Sequence, residues 1–170
     1  MGKKAIYLLL ILSLLVIGCS RKPSKTAQGY WDSATILASQ HTYEAALEEY
    51  QKILKFYPED ELAIKSLFAM ADIQKNNLQD NRKAITIYQK ILDLYPDSER
   101  TPNAKFMMGY LYANEIKDLK KARQQYNEFL ELFPEHDLAL SAQWELDHLG
   151  RELDDIPQLK SLSDEEESAE

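Results

Sequence analysis

Apolar residues recur at helical spacing in three copies of one pattern along the chain. Each copy starts at an alanine, has a tyrosine four residues later and ends at a proline after eight more, at Ala46–Pro58, Ala84–Pro96 and Ala122–Pro134. All three markers recur with one constant period, and a fixed period between about 20 and 50 residues is typical of stacked arrays. Each copy is therefore predicted to be an amphipathic helix that ends at its proline.

Another apolar helical pattern precedes each of these helices, and a further one follows the last proline. These patterns cover about residues 27–40, 61–76, 99–114 and 136–149. No segment alternates long enough to predict a strand. The prediction is an all-α protein of seven helices: about three helix pairs stacked into an α-solenoid, with a C-terminal capping helix.

The first helix of each pair carries a small residue, at Ala34, Ala71 and Gly109. Together with the markers of the second helices, this pattern resembles the tetratricopeptide repeat (TPR) over roughly residues 29–149. The resemblance implies that the two helices of a pair approach closely at these small residues and at Ala46, Ala84 and Ala122. The period here exceeds the usual TPR period of about 34 residues. One extra residue is therefore expected in the turn inside the later pairs, and the others before each following first helix.

The long period is similar to that of two groups of envelope repeat proteins, the Tol-Pal-associated cell-division coordinators and the BamD-type outer-membrane assembly lipoproteins. BamD-type proteins carry more repeats than this chain. The resemblance implies a scaffold that binds other envelope proteins, in outer-membrane assembly or in cell-division coordination. The alternative is a structural or self-associating subunit of an envelope complex without a separate peptide-binding groove.

Aromatic residues stand three positions before each small residue, at Trp31, Phe68 and Phe106, and Tyr110 lies one helical turn after Phe106. In TPR proteins this offset faces the concave side of the array. The resemblance therefore implies an aromatic stripe that seats an extended peptide or a helix of a partner. The alternative interpretation is that these rings pack between adjacent repeats and belong to the core.

Residues 1–18 have the architecture of a signal peptide, with two lysines before an apolar stretch that ends at Gly18-Cys19. The stretch spans about 13 residues, fewer than the roughly 20 that cross a bilayer. Val16–Cys19 resembles the bacterial lipobox, which implies that Cys19 carries a covalent lipid. Ser20 stands where the familiar inner-membrane retention signal has aspartate, so the resemblance implies the outer membrane, facing the periplasm. The alternatives are an ordinary secretory signal and a permanent transmembrane helix.

Two polar segments flank the predicted repeats. Residues 19–28 carry three positive charges and no large apolar side chain, so they are predicted to be a flexible tether. Residues 150–170 contain eight acidic and two basic residues and are predicted to be a disordered tail. The formal net charge of −8 argues against nucleic acid as a partner.

The sequence contains no recognisable catalytic constellation, and its three histidines, His41, His136 and His148, do not form one. A metal site of Glu135, His136 and Asp137 is conceivable, but adjacent helical residues point in different directions, so a surface cluster is expected. His148 is expected to interact favourably with a helix C-terminus. The sequence therefore predicts no enzyme, no metal and no cofactor besides the lipid on Cys19.

Overall fold

The computed structural model describes residues 22–151. Within this range the chain forms seven helices and no strand, which confirms the predicted all-α, TPR-like solenoid. Three pairs, each with a first and a second helix, are followed by one unpaired first helix. The helices are α1 (Ala27–Ser39), α2 (Tyr43–Phe56), α3 (Glu61–Asp72), α4 (Asn81–Leu94), α5 (Thr101–Tyr110), α6 (Leu119–Leu132) and α7 (Ala139–Asp147).

The predicted signal peptide (1–18), the lipidation residue Cys19 and all of the acidic tail after Arg151 lie outside the described residues. Among residues 22–151, no helix is long and apolar enough to cross a membrane.

The N-terminal edge of the array is covered by polar contacts. α1 begins at Ala27, inside the segment predicted as a tether. The Lys25 ammonium donates to the Ser33 hydroxyl and to the Glu49 carboxylate, both at 2.7 Å. The Tyr57 hydroxyl donates to the Lys25 carbonyl, also at 2.7 Å. The residue two positions before α1 is therefore held against the first pair.

Each helix packs against the next one along the chain, which builds two layers. First helices α1 and α3 also contact each other. The second helices α2 and α4 instead leave a depression of about 330 Å³ between them, with Leu67 and Met70 of α3 among its lining residues. The surface formed by α1, α3, α5 and α7 carries the residues of the predicted aromatic stripe. We call it the first-helix face.

The extra residue of the later pairs lies inside the first helices. The three turns within pairs have equal length, but α3 and α5 continue directly into π-helical turns at Ile73–Asn77 and Leu111–Glu115. In the first π turn the backbone N–H of Leu78 donates to the Ile73 carbonyl, five residues back, at 3.0 Å. A π turn holds more residues than an α turn, so the prediction that the extra residue lies in the connecting turn is wrong.

One residue in each turn within a pair adopts a left-handed backbone, although none of the three is glycine. They are His41, Gln79 and Lys117, with φ of 60°, 54° and 61°, and they recur with the period of the array. Asp80 and Asp118 follow directly, and their carboxylates accept the backbone N–H three residues later at 2.9 and 3.1 Å. These N-caps compensate in the later pairs for the backbone strain of the turn.

Successive pairs are joined where each second helix ends. The Tyr95 hydroxyl donates to the Pro58 carbonyl at 2.9 Å, which links the second pair to the first. At the equivalent position after α6 stands Phe133, which has no hydroxyl and packs with Leu138 and Leu146 in the apolar cluster of the third pair. The hydrogen bond that Tyr95 makes to the preceding pair therefore has no counterpart in the third pair, where Phe133 packs among apolar side chains.

Gln79→Gly should raise the free energy of unfolding by up to about 1 kcal/mol, since glycine removes the left-handed strain of roughly 1–2 kcal/mol but loses more entropy on folding. Lys90→Gly, at an exposed position in the middle of α4, is the control. It should lower the free energy of unfolding by about 1 kcal/mol, because glycine is unfavourable inside a helix. Chemical denaturation measures both. A less stable Gln79→Gly variant would contradict the turn geometry.

Candidate functional site

Close contact between the two helices of each pair is made by a buried tyrosine of the second helix. Tyr50, Tyr88 and Tyr126 are almost completely buried, and burial raises the pKa of all three hydroxyls. In the third pair the Tyr126 ring lies against Gly109, where an added Cβ would come within 2.7 Å of the ring atom Cε1. Ala34 and Ala71 at the same position, and the second-helix residues Ala46, Ala84 and Ala122, are fully buried.

The three predicted stripe residues each pack against the tyrosine of their own pair. Ring centroids are 5.2 Å apart for Trp31–Tyr50, 5.9 Å for Phe68–Tyr88 and 5.7 Å for Phe106–Tyr126. All three first-helix rings are only half-buried. Each ring therefore packs on a core tyrosine, as the core interpretation expects, while its residue keeps part of its surface exposed to solvent.

The π turns also explain an irregular spacing of this stripe. The step from Trp31 to Phe68 is one position shorter than the step from Phe68 to Phe106. The π turn of α3 adds one residue between Phe68 and Phe106. No π turn follows Trp31 in α1, so the step from Trp31 to Phe68 is not lengthened. The rings consequently occupy the same place in each pair despite the unequal spacing.

Tyr110 differs from the other three stripe residues because it lines a cavity. This cavity of about 560 Å³ lies between α5 and α7, and we call it the α5–α7 cavity. Trp144 and Leu149 of the last helix and its C-terminal turn form the opposite wall. Tyr110 therefore lines a space large enough for several side chains.

Trp144 is a residue of this face that the sequence analysis missed. It follows Phe106 by one full period of the array and so occupies the stripe position of the last helix. Its ring stacks on His148 with 4.4 Å between centroids and remains 44% exposed. The same period that revealed the repeats, extended by one step, would have identified it.

An ion pair between a buried lysine and a partly exposed glutamate links α5 to α6. Lys105 precedes Phe106, is 5% exposed and donates to the Glu128 carboxylate. This hydrogen bond, with a second one from Gln124, holds the pKa of Glu128 below its usual value. Because the folded-state pKa is lowered, the pair stabilises the fold above the ordinary glutamate range and this contribution is lost as the pH falls through the lowered pKa.

The histidines have local structural contacts. His41 Nδ1 lies 2.7 Å from the Tyr43 hydroxyl. His136 Nδ1 accepts the backbone N–H of Leu138 at 3.1 Å, in the turn before α7. Within residues 22–151, no group of three histidine, cysteine or acidic residues is arranged to hold a metal ion.

Comparison with known families identifies two of the three pairs. Residues 65–98 and 103–136 each match the model of the tetratricopeptide repeat, and the two segments are offset by one period of the array. They correspond to α3–α4 and α5–α6. No curated protein matches the chain significantly. The chain thus contains two tetratricopeptide repeats, and proteins built from such repeats are generally non-enzymatic scaffolds for protein–protein interaction.

Gly109→Ala should lower the free energy of unfolding by about 1 kcal/mol, because the added methyl group overpacks the contact with Tyr126. The value is at the low end of overpacking penalties, since the first and second pairs carry alanine at this position. At an uncrowded helical position a glycine-to-alanine change stabilises the protein by a similar amount. A loss of stability would therefore indicate the close contact, and a gain would indicate that the position is uncrowded. Tyr126→Leu provides the matched background, in which the same substitution should cost less. Equal effects in both backgrounds, measured by denaturation, would contradict the close contact.

Proposed function

We propose that this protein is a membrane-anchored scaffold of the bacterial cell envelope. A lipid on Cys19 holds it at the membrane, and its first-helix face binds other envelope proteins, in outer-membrane assembly or in cell-division coordination. The observation that carries the binding proposal is the row of half-exposed rings along one face of a tetratricopeptide-repeat solenoid.

The packing of the rings favours tight binding. The tyrosine beneath each ring limits the rotamers of the ring before a partner arrives, so little side-chain entropy is lost on association. Large aromatic side chains with part of their surface open are the residues that most often dominate interface energies. Around the rings of α5 lie the exposed amides of Asn103 and Asn114, at helical spacing from Tyr110. These amides can hydrogen-bond the backbone of an extended partner segment.

The two roles of the stripe can be separated in α5. Tyr110→Ala should weaken the complex with proteins that co-purify from host membranes by about 2 kcal/mol, the size of an aromatic hot spot, with little loss of stability. Phe106→Ala should instead lower stability by about 3 kcal/mol, because its ring packs on Tyr126 and Phe129. Leu94→Ala, an exposed residue of a second helix, is the control and should change neither. Pull-downs and melting curves on the same preparations measure both effects, and unchanged capture by Tyr110→Ala would contradict the proposal.

Cys19→Ala should abolish incorporation of radiolabelled palmitate and release the protein from the membrane fraction, because Cys19 is the single cysteine. Ser20→Asp is the matched control, which should keep the label but move the protein to the inner membrane of a two-membrane envelope. Equal labelling of the Cys19→Ala variant and the wild type would contradict lipidation.

A further inference from the structure

The last helix leaves open a surface that a second helix covers in each of the three pairs. α1, α3 and α5 each pack their stripe ring on the tyrosine of a following second helix, but no second helix follows α7 within residues 22–151. Trp144 consequently has no tyrosine beside it and stacks on His148. The open surface continues into the α5–α7 cavity, where Tyr110 and Leu119 complete the apolar lining.

The rim of the α5–α7 cavity is mainly cationic. Lys117 lies on one side, in the turn after α5, and Arg151 lies on the other side. Glu145 is the acidic residue among those that line the cavity, and burial raises the pKa of its carboxyl group. An occupant that fits this site therefore has apolar side chains for the lining and carboxylates for the lysine and the arginine.

The segment that follows Arg151 has this chemistry and starts at the cavity wall. Gly150, with φ of 85°, turns the chain after α7 so that Arg151 itself lines the cavity. The next five residues, Glu-Leu-Asp-Asp-Ile, combine two apolar side chains with three carboxylates. Five residues span at most about 17 Å, which limits how far this stretch can extend from Arg151.

The same segment lacks the residues of an ordinary second helix. One period of the array after Ala122 and Tyr126 stand Lys160 and Asp164. A lysine cannot replace the alanine at the close helix contact, and an aspartate offers no ring to cover Trp144. The sequence after Arg151 therefore lacks the alanine and the tyrosine that the other second helices carry at these positions.

We propose that the α5–α7 cavity binds the chain's own acidic segment, with Leu153 and Ile156 against Trp144 and Tyr110 and with the neighbouring carboxylates at Lys117 and Arg151. The segment thereby competes for the cavity with acidic, apolar segments of other proteins. This inference concerns contacts within one chain, so it can fail or hold independently of the scaffold function proposed above.

The test measures exposure of Trp144 in the detergent-solubilised full chain. Trp31→Phe leaves Trp144 as the single tryptophan, and this variant is compared with the same chain ended at Arg151. Acrylamide should quench Trp144 at least twofold more strongly in the shortened chain. A synthetic peptide of residues 152–170 should restore protection with a dissociation constant below about 1 mM, the effective concentration that a short linker provides. A peptide with serine at positions 153 and 156 should not.

Charge variants test the contact without removing the segment. Lys117→Glu in the full chain should increase quenching of Trp144 about as much as truncation does. Lys120→Glu, an exposed site of equal charge that does not line the cavity, should leave quenching unchanged. Circular dichroism confirms that each variant is folded.

Three outcomes would overturn the proposal. Equal quenching in the full and shortened chains would show that the segment does not cover Trp144. Protection that rises with protein concentration would assign the surface to a second copy of the chain. Unchanged quenching of Trp144 in folded Lys117→Glu would show that Lys117 makes no ionic contact with the segment.

Discussion

The packing of each helix pair centres on a buried tyrosine of the second helix and a small residue of the first. In the third pair the contact is so close that Gly109 leaves no room for a methyl group beside Tyr126. The contact fixes the distance between the two helices, and it places a further aromatic ring of the first helix beside the tyrosine. The core and the proposed binding face consequently share the same aromatic pairs.

The two ends of the described array differ in a way that bears on function. At the N-terminal end Lys25 bridges Ser33 and Glu49, so that end is covered by polar groups and ion pairs. At the C-terminal end Trp144 remains exposed beside a cavity with a cationic rim. Terminal repeats of a solenoid usually carry a polar outer face. The exposed ring is the reason why we place the proposed contact of the acidic segment at the C-terminal end.

The regular features of the fold could be predicted from the sequence, and the irregular ones could not. The constant period and the small residues predicted the helix pairs, because stacking requires the same side chains at every junction. The location of the extra residue was missed, because a spacing shows that a residue is inserted but not which backbone hydrogen bonds absorb it. The burial of Lys105 could not be predicted either, because its partner Glu128 lies on another helix and the pair forms only after folding. For Phe68 and Phe106 the alternatives were a binding groove and the core between repeats. The sequence could not decide between them, because a half-buried ring and a buried ring recur with the same spacing.

The measurement that tests the scaffold account most directly is site-specific photo-crosslinking in the native membrane. A photoreactive amino acid at Asn114 lies on the first-helix face, and one at Leu94 lies on an exposed second-helix surface. The account predicts adducts with other envelope proteins from position 114 and none from position 94. Adducts from position 94 alone would place the partners on the opposite side of the array and contradict the account.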